Sequence, residues 1–587
     1  MQKQSKYIIG MMIATVMIVL ASCKKYLNVE PVSSFGTEYV FSNVPNATNA
    51  VLGAYSCLGG DQGYGIRISM YYPYDNDEMM GQGGAAGDNE RRDIARFAVK
   101  PSNTQLANPF NQIYRGIERA NICIYQIPKM DMYNNGSEIE KLQLRRLHGE
   151  ALTLRAQFYF EAIRNWGDVP AHFLPSSFEP ELFKAKTDRD SIYDVLLEDL
   201  ATAITMVPWR KGQTGTNERI TQGAVRGLRA RIALFRGGYS LRRESGVMER
   251  MADYKDYYQV ALDECQAIIS QNGEHKLNPS FQAVWKDAIG QHKEEPNGEV
   301  IWEVGMAGGS SNFGDSKLGY YNGPRYNNTG NSALTILPTT FYAYDSMDTR
   351  RDVTCTPYNI NTDFTLQGRS FQTMVDGKFR RDWNQITASQ AQYFGTNWPL
   401  IRYSDVLLMF AEADNELKNG PSPAAIDAFE QVRLRAFNGN ASLIGTTPSD
   451  YAGFFTAIMK ERMLELCSEG LRKYDLIRWN RLGANLTAVK AELTKMSNLE
   501  APYDQLPTAM YYKTGVNTMQ WANSFYKQTP AGGVPAGYAS IPWLSTGIKT
   551  TIVDFLGSAF TPNKSELLPL PQASIDANSK LTQDYGY

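Results

Sequence analysis

The sequence of 587 residues is poor in cysteine and histidine, with six of the first and four of the second. No C-x-x-C pair occurs and no two histidines stand at a metal-ligand spacing, which argues against a zinc ribbon, a thioredoxin-like redox site or a histidine-rich catalytic metal centre. A chain of this length can build its core without disulfides. Apart from Cys23, we therefore predict that most cysteines are buried free thiols: Cys57, Cys123, Cys265, Cys355 and Cys467.

The sequence also lacks an excess of basic residues. Lysine and arginine total 59 and aspartate and glutamate total 61, giving a net charge of −2. A protein that neutralises phosphates needs a basic surplus, so nucleic acid is not expected as a partner. Beyond residue 22 no apolar run is long enough to span a membrane. What the chain does have is 43% hydrophobic residues, which predicts a globular body with a sizeable core.

The first residues have the pattern of an export signal. Lys3 and Lys6 precede an apolar run from Tyr7 to Leu20, which is too short to cross a hydrocarbon core of about 30 Å but suits a secretory signal peptide. The stretch Leu20-Ala21-Ser22-Cys23 resembles the lipobox of bacterial lipoproteins, in which the cysteine is acylated and becomes the new N-terminus. We predict a lipidated Cys23, with palmitate-type chains as a membrane tether. The alternative is an uncleaved anchor followed by a chance cysteine.

Most of the remaining sequence carries apolar residues at helical spacing. The segment from Lys141 to Trp166 bears two apolar stripes, so its helix must be covered on both sides, as in a stacked helical repeat. We predict a mostly α fold, a degenerate tetratricopeptide-like scaffold with long irregular loops and a few short strands. The clearest other stripes are Ile113/Ile117/Ala120/Ile124, Tyr193/Leu197/Leu200/Ile204, Val225/Leu228/Ile232/Phe235, Val406/Phe410/Ala413/Leu417, and Leu464/Cys467/Leu471/Tyr474 within one long candidate helix.

Two stretches have a different texture, rich in Gly, Asn, Pro, Ser and Thr with interspersed aromatics. We predict irregular loops with a few short strands there, of which EVIWEV, residues 299–304, is the clearest. Long loops on a rigid helical scaffold are where binding sites usually lie. The predicted organisation is a signal peptide (1–22), a tether (23–34), an N-terminal helical part (35–275), a loop-rich part (276–400), a second helical part (401–485) and a loop-rich C-terminal part with a docked extended tail (486–587).

The strongest site signal is aromatic. A surface that binds sugars needs exposed rings for their apolar C–H faces, beside amides, carboxylates and guanidinium groups for their hydroxyls. Three loop segments combine these groups: YYPYDNDE (71–78), NFGDSKLGYYNGPRYNN (312–328) and RRDWNQ (380–385). The alternative is that each ring packs on the scaffold beneath its loop. The candidate ligand-binding residues are Tyr71, Tyr72, Tyr74, Asp75, Asp77, Tyr320, Tyr321, Arg325 and Trp383.

Other chemistry finds weaker support. A glycosidase needs two carboxylates that flank a scissile bond, and no local constellation singles out such a pair. The stretch GQGGAAG (81–87) superficially matches a dinucleotide fingerprint, but DNDEMM rather than an apolar strand precedes it, which favours a loop. Asp75, Asp77 and Glu78 could ligate calcium through oxygens, although the EF-hand pattern is missing. We expect no cofactor, with calcium at these three residues as the alternative.

Several segments then occur in the order typical of one family. They are YLNVEP (26–31), ALTLRAQFYFEAIRNWGDVP (151–170), EVIWEV, IRYSDVLLMFAEADNEL (401–417), IMKERMLELCSEGLRKYDLIRW (458–479) and the closing LLPLPQASIDANSKLTQDYGY (567–587). Together they resemble the SusD/RagB family of outer-membrane nutrient-binding lipoproteins. The resemblance spans essentially the whole mature chain.

The resemblance implies a non-catalytic, mostly helical protein with four tetratricopeptide-like pairs, anchored by lipid on the outer face of the outer membrane. It also implies a SusC-like TonB-dependent transporter as partner, to which the protein delivers oligosaccharides, or peptides in the RagB branch. A surface glycoside hydrolase is the third possibility. Lys24 and Lys25 follow the lipid-type cysteine where many surface lipoproteins carry acidic residues, so the outward orientation rests on the resemblance alone.

Overall fold

A computed structural model describes residues 36–81, 89–212, 217–271, 273–308, 314–327, 329–384 and 392–587. The predicted signal peptide, the tether with Cys23 and most of the GQGGAAG stretch lie outside these residues. Within the described ranges, no helix combines the length and the apolar character that crossing a membrane requires.

The α-helices, in chain order, are α1 Thr37–Val40, α2 Val44–Tyr55, α3 Asn89–Ala95, α4 Thr104–Gln126, α5 Asp131–Asn135, α6 Glu138–Trp166, α7 Arg189–Ile204, α8 Gln222–Arg236, α9 Tyr254–Ile269, α10 Phe281–Ala283, α11 Pro338–Ala343, α12 Arg350–Thr354, α13 Tyr403–Lys418, α14 Pro423–Ala436, α15 Tyr451–Leu466, α16 Arg472–Arg478, α17 Leu482–Asn498 and α18 Gln572–Ala577.

The strands are short and pair only in twos. They are β1 Met79–Met80, β2 Ser240–Leu241, β3 Met248–Glu249, β4 Val300–Val304, β5 Thr335–Ile336, β6 Cys355–Thr356, β7 Tyr358–Ile360, β8 Leu366–Gly368, β9 Val375–Asp376, β10 Trp398–Arg402, β11 Ala509–Lys513 and β12 Tyr538–Pro542. Every pair is antiparallel, for example β4 with β10, where Trp398 lies opposite Val304. The predicted mostly α fold with a few short strands is confirmed, since about 48% of the chain is helical.

The helices pack in sequence-adjacent pairs around α6. Helix α6 begins at a capping box, in which the Ser137 hydroxyl accepts from the Glu140 backbone N–H and the Glu140 carboxylate accepts from the Ser137 N–H. It packs against α2, α4 and α7, and α7, α8, α9, α13 and α15 continue the array. Every residue of α6 from Gly149 to Trp166 is buried, as two apolar stripes require. The tetratricopeptide-like character of these pairs stays a prediction.

Two boundaries differ from the sequence prediction. The long candidate helix over 458–479 is broken, because α15 ends at Leu466 and α16 begins at Arg472. Ser468 and Gly470 between them have φ of 69°, in the left-handed region that ends a helix. The second helical part also continues past residue 485, to the end of α17 at Asn498.

The charged residues of the segment 458–479 bind partners far along the chain instead of mainly their helical neighbours. The Arg402 guanidinium, at the end of β10, donates to Glu299 (2.8 Å), Glu465 (2.8 Å) and Glu469 (2.7 Å). Arg435 on α14 donates to Glu299 (3.1 Å) and Glu465 (2.6 Å). All five side chains are buried. These ion pairs therefore join the strand β10, the helices α14 and α15 and the loop after α15.

The same cluster extends to the loop-rich part. Arg350 at the start of α12 donates to Glu461 (2.6 Å) and Glu465 (3.0 Å), and Lys378 donates to Glu469 (2.7 Å). We call the whole set the buried ion network: Glu299, Asp348, Arg350, Lys378, Arg402, Arg433, Arg435, Glu461, Glu465 and Glu469. Its five positive and five negative side chains balance.

The remaining structural predictions agree with the described residues. The five cysteines from Cys57 to Cys467 are buried and free. Trp166, Trp302 and Trp479, from the quoted family segments, are core residues. The tail is extended before α18 and docks on α6, where the Leu568 N–H donates to the Asn165 carbonyl at 2.7 Å.

Candidate functional site

The turn that carries Tyr320 and Tyr321 is held by its backbone. Gly319 has φ of 79°, which favours glycine, and its N–H donates to the Asn322 side chain at 2.7 Å. The carbonyl of Tyr320 accepts from Asn331 N–H and that of Tyr321 from Ala333 N–H, both at 2.7 Å. Both rings remain half-buried. The turn therefore presents two partly accessible rings from a fixed backbone.

The structure brings Tyr71 to these two rings. Tyr71 ends a helical turn, Arg67–Tyr71, and its ring meets that of Tyr321 edge-on with centroids 6.2 Å apart. The Tyr320 and Tyr321 centroids are 5.0 Å apart, also edge-on. Arg91 on α3 donates to the hydroxyls of Tyr71 and Tyr321, each at 3.0 Å. Its guanidinium lies 5.6 Å and 5.4 Å from the two ring centroids.

The row continues on the other side of Tyr320. The Phe394 ring centroid is 6.4 Å from that of Tyr320, and the Arg381 guanidinium lies 4.2 Å from the Phe394 ring. We call this set the aromatic row: Phe394, Tyr320, Tyr321 and Tyr71, with Arg381, Arg91 and Arg67 beside the rings. Guanidinium groups lie at both of its ends and beside Tyr321. Two segments that the sequence analysis treated separately, 71–78 and 312–328, thus meet, and 380–385 reaches the row through Arg381.

A polar cluster adjoins the row. The Asp61 carboxylate accepts from the Lys317 ammonium (2.9 Å) and the Tyr393 hydroxyl (3.2 Å). Arg67 lies 3.7 Å from the same carboxylate and 5.7 Å from the Tyr71 ring centroid, so it links the cluster to the row. Burial by itself would lower the pKa of Lys317, but Asp61 and Tyr393 raise it above its usual value. The lysine is therefore a cation that can donate to a ligand.

Burial, and then the neighbouring Tyr321, raise the pKa of Tyr71 well above its usual range against the opposing effect of Arg91. Tyr71 is therefore neutral at physiological pH, and its hydroxyl accepts from Arg91 at 3.0 Å. Stacking surfaces combined with fixed donors suit a ligand with apolar C–H faces and many hydroxyl or carbonyl oxygens.

The prediction that Tyr72 and Tyr74 contact a ligand is wrong. Tyr72 has no exposed surface and Tyr74 has 1%, because both lie in the main core. The Tyr72 hydroxyl donates to the Gln105 carbonyl at 2.8 Å, and its ring meets Trp166 edge-on. Neither ring has a face that a ligand could reach. In a run of three tyrosines, the sequence did not distinguish the outermost one.

The acidic residues that follow are also part of the scaffold. Both Asp77 oxygens accept from Arg472 at 2.7 Å, and Asp75 accepts from the backbone N–H groups of Gly81 (2.7 Å) and Gly557 (2.8 Å). Burial raises the pKa of Glu78 to about 8. Among the residues that the structure covers, no three such side chains converge to hold a metal ion. The structure therefore contradicts both the ligand role of Asp75 and Asp77 and a calcium site at this place.

The last two candidate residues, Trp383 and Arg325, differ in their exposure. Trp383 is 7% exposed, as Tyr71 is, and the Arg380 guanidinium lies 4.1 Å from its ring, so its contact with a ligand stays a prediction. Arg325 is exposed, and its backbone pairs with residues 359 and 360. It lies on the same loop as Tyr320, two residues after Gly323, and stays a candidate.

Sequence reasoning missed Arg91, Asp61, Arg67, Tyr393 and Phe394. Tyr393 and Phe394 are adjacent aromatic residues beside a glycine in a loop-rich stretch, as Tyr320 and Tyr321 are. The same aromatic pattern could therefore have identified this pair. Arg91, Asp61 and Arg67 have no such signal, because only the tertiary fold brings them to the row.

Comparisons with known proteins identify the family. A family model described as starch-binding and associating with the outer membrane matches residues 25–234, and the model of the SusD family matches residues 356–587. SusD-like protein P25 of Formosa agariphila is 24% identical over 503 residues, covering 78% of this chain and 88% of the relative. The chain belongs to the SusD family, as the resemblance implied.

Solved structures show the same fold. A SusD homolog from Bacteroides thetaiotaomicron has a TM-score of 0.72 at 21% identity, covering 92% of this chain and 97% of the other. A laminarin-binding SusD-like protein has a TM-score of 0.63 at 20% identity, covering 93% and 100%. Surface glycan-binding protein A from B. thetaiotaomicron, in complex with laminarihexaose, has a TM-score of 0.62 at 18% identity, covering 92% and 99%.

Proposed function

We propose that this protein binds oligosaccharides without catalysis at the aromatic row and passes them to a TonB-dependent transporter in the outer membrane. The observation that carries the proposal is the turn with Tyr320 and Tyr321, whose half-buried rings lie between the Arg91 and Arg381 guanidinium groups. A sugar ring stacks on such a face while its hydroxyls accept from the neighbouring arginines.

Relatives support the glycan as ligand class. One neighbour of the same fold is described as laminarin-binding and another contains laminarihexaose. The description of the N-terminal family model also names starch binding. The geometry of the loops determines which linkage and monosaccharide a site recognises. We therefore propose an oligosaccharide as the ligand, and a glycan array would identify it.

Delivery and anchoring complete the proposal. A lipidated Cys23 would hold the body at the outer face of the outer membrane, where a SusC-like transporter takes up the bound oligosaccharide. Replacing Cys23 with Ala should move the protein into the soluble fraction while its thermal unfolding stays unchanged. If the variant remains in the membrane fraction as firmly as the wild type, the anchor lies elsewhere. Mild detergent extraction should recover the wild type together with a large β-barrel partner.

A glycan array followed by titration calorimetry tests the binding site. Tyr320→Ala and Tyr321→Ala should each weaken binding of the best glycan, whereas Tyr39→Ala, at a ring that is 54% exposed on α1, should not. A reducing-sugar assay on the same glycan should show no product. Release of reducing ends, capture of peptides instead of glycans, or equal affinity of all variants would each overturn the proposal.

A further inference from the structure

Two arginines that are far apart in sequence, Arg325 and Arg369, are bound by the same amide oxygen. The Oδ1 of Asn359, on β7, accepts from the Arg325 backbone N–H at 3.2 Å and from the Arg369 Nη1–H at 2.9 Å. One oxygen atom therefore fixes the backbone of the first arginine and the guanidinium of the second. We call these two residues the arginine pair.

The backbone that carries the arginine pair is itself fixed. Strands β7 and β8 pair with each other as an antiparallel hairpin, and Arg369 follows β8 directly. The Ile360 N–H donates to the Arg325 carbonyl at 2.8 Å, and the Arg369 N–H donates to the Pro357 carbonyl at 2.8 Å. The loop with Arg325 is therefore held against the hairpin with Arg369, which is the preorganisation that a binding site requires.

The Arg369 guanidinium is held in place but is not neutralised. Its Nε donates to the Thr373 carbonyl at 3.0 Å, so both of its acceptors, this carbonyl and the Asn359 amide, are uncharged. Its Nη2 makes no hydrogen bond within the described residues and keeps accessible surface in a side chain that is half-buried. A fixed guanidinium with a free donor suits the recognition of an oxyanion.

The arginine pair also lacks a counter-charge. The Arg325 side chain is exposed and forms no hydrogen bond or ion pair within the described residues. Burial, and then the charge of Arg325, lower the pKa of Arg369 to about 10, and no carboxylate opposes them. Asp363, in the turn of the same hairpin, accepts from the backbone N–H and the hydroxyl of Thr365 instead. Because a pKa of about 10 leaves Arg369 protonated at neutral pH, the pair carries two uncompensated positive charges.

The arginine pair adjoins the aromatic row. A Cβ on Gly330 would lie 3.4 Å from the Arg325 Cα and 3.6 Å from the Tyr320 carbonyl oxygen, so both residues border the same glycine. Arg325 is also on the loop that carries Tyr320 and Tyr321. The cationic pair is therefore a neighbour of the rings that we propose as the stacking surface.

We propose that the arginine pair binds an oxyanion group, the carboxylate of a uronic acid or a sulfate ester, on the oligosaccharide that the aromatic row holds. The Arg369 Nη2–H and the Arg325 guanidinium donate to the oxygens of this group, and its negative charge compensates the pair. The inference rests on the proposed function and narrows its ligand class from oligosaccharides in general to acidic ones.

A glycan array of neutral, uronate-bearing and sulfated oligosaccharides tests the ligand class. We expect the strongest binding from acidic glycans, and uronates alone or sulfated glycans alone would identify which oxyanion the pair takes. A neutral glycan as the best ligand, if Tyr321→Ala weakens its binding, would overturn this inference and leave the proposed function standing. Binding of no glycan at all would overturn both.

Titration calorimetry with the best acidic glycan and its uncharged derivative, carboxyl-reduced or desulfated, tests the two arginines. Arg369→Gln and Arg325→Gln should each weaken binding of the acidic glycan about tenfold or more, because charge-assisted hydrogen bonds are lost. Both variants should bind the uncharged derivative as the wild type does. Arg145→Gln, at an exposed arginine on α6, is the matched control and should change neither affinity.

Thermal unfolding of the same variants separates a ligand role from a structural one. Arg325→Gln should melt as the wild type does, since its side chain is exposed, so it tests the site even if Arg369→Gln fails to fold. Wild-type affinity for the acidic glycan in either folded variant, or equal weakening of the acidic glycan and its uncharged derivative, would overturn the proposal.

Discussion

The buried ion network and the aromatic row use the same arginine chemistry for different ends. In the network the Arg402 guanidinium is enclosed and donates to the carboxylates of Glu299, Glu465 and Glu469. In the row the guanidinium groups lie beside rings, and one of these rings, that of Tyr321 beside Arg91, is half-buried.

The difference separates arginines that stabilise the fold from arginines that belong to the proposed ligand site. A balanced set of buried charges specifies how loops join the helical array, and removing one member leaves an uncompensated charge. A guanidinium beside a partly exposed ring is held by a weaker cation–π contact. A substitution in the buried ion network should therefore lower the free energy of unfolding, and a substitution in the aromatic row should weaken glycan binding.

The largest effect is expected from Arg402→Met. The substitution leaves Glu299, Glu465 and Glu469 without their shared cation, and losing one partner of a buried ion pair costs about 3–5 kcal/mol. Thermal and urea unfolding should both shift strongly to lower stability. Arg325→Met, at an exposed arginine, should change stability by no more than about 0.5 kcal/mol. If the two variants unfold alike, the network contributes nothing that a surface arginine does not.

A smaller effect is expected on the pH dependence of stability, at a buried aspartate that is bound by two arginines. Asp405 on α13 accepts from Arg231 (2.6 Å) and Arg462 (2.7 Å). Burial by itself would raise its pKa, but the two arginines outweigh burial and lower the pKa from 3.8 to about 2. Because the folded pKa is the lower one, the contribution of about 2 kcal/mol is complete above the unfolded value and is lost as the pH falls through the folded one.

Unfolding of the wild type and Asp405→Asn over this acid range measures the contribution. The variant should be less stable at about pH 7, and the gap should narrow as the pH falls from about 4 to about 2. A gap that stays constant over that range would contradict the assignment, because the loss would then come from packing and not from the carboxylate charge.

The helical scaffold was predictable because its signal is local. Periodic stripes such as Val225/Leu228/Ile232 identify a helix and its buried face from sequence neighbours alone. The break between α15 and α16 was missed because the apolar stripe runs through it, and only the left-handed φ at Ser468 and Gly470 marks the turn. The ion pairs were missed for the opposite reason, since Arg402 and Glu465 are far apart in sequence.

The candidate site was predictable only in part. Composition identified the loop with Tyr320 and Tyr321, but it treated Tyr71, Tyr72 and Tyr74 as equal. Ring contacts separate the three, since Tyr71 meets the Tyr321 ring while Tyr72 meets Trp166 in the core. Which ring of a run faces outward depends on the elements packed beneath it, and Arg91 enters the site from a helix with no aromatic signal of its own.

The smallest effect is expected from Tyr321→Ala, and Tyr72→Ala, at a ring in the core, is the contrast that tests it. A ring that stacks on sugar contributes about 0.5–1.5 kcal/mol beyond the area that it buries, so Tyr321→Ala should weaken glycan binding about two- to tenfold. Tyr321→Phe keeps the ring and loses only the hydroxyl that accepts from Arg91, so it should retain most of the affinity.

Tyr72→Ala should behave oppositely, because removing a large core ring costs about 3–5 kcal/mol of stability. Its melting temperature should fall strongly, while the folded fraction should bind glycan as the wild type does. Measuring affinity and thermal unfolding for all three variants separates the roles, since a platform ring changes the first quantity and a core ring the second. If Tyr321→Ala loses stability and keeps its affinity, the aromatic row belongs to the scaffold and the glycan binds elsewhere.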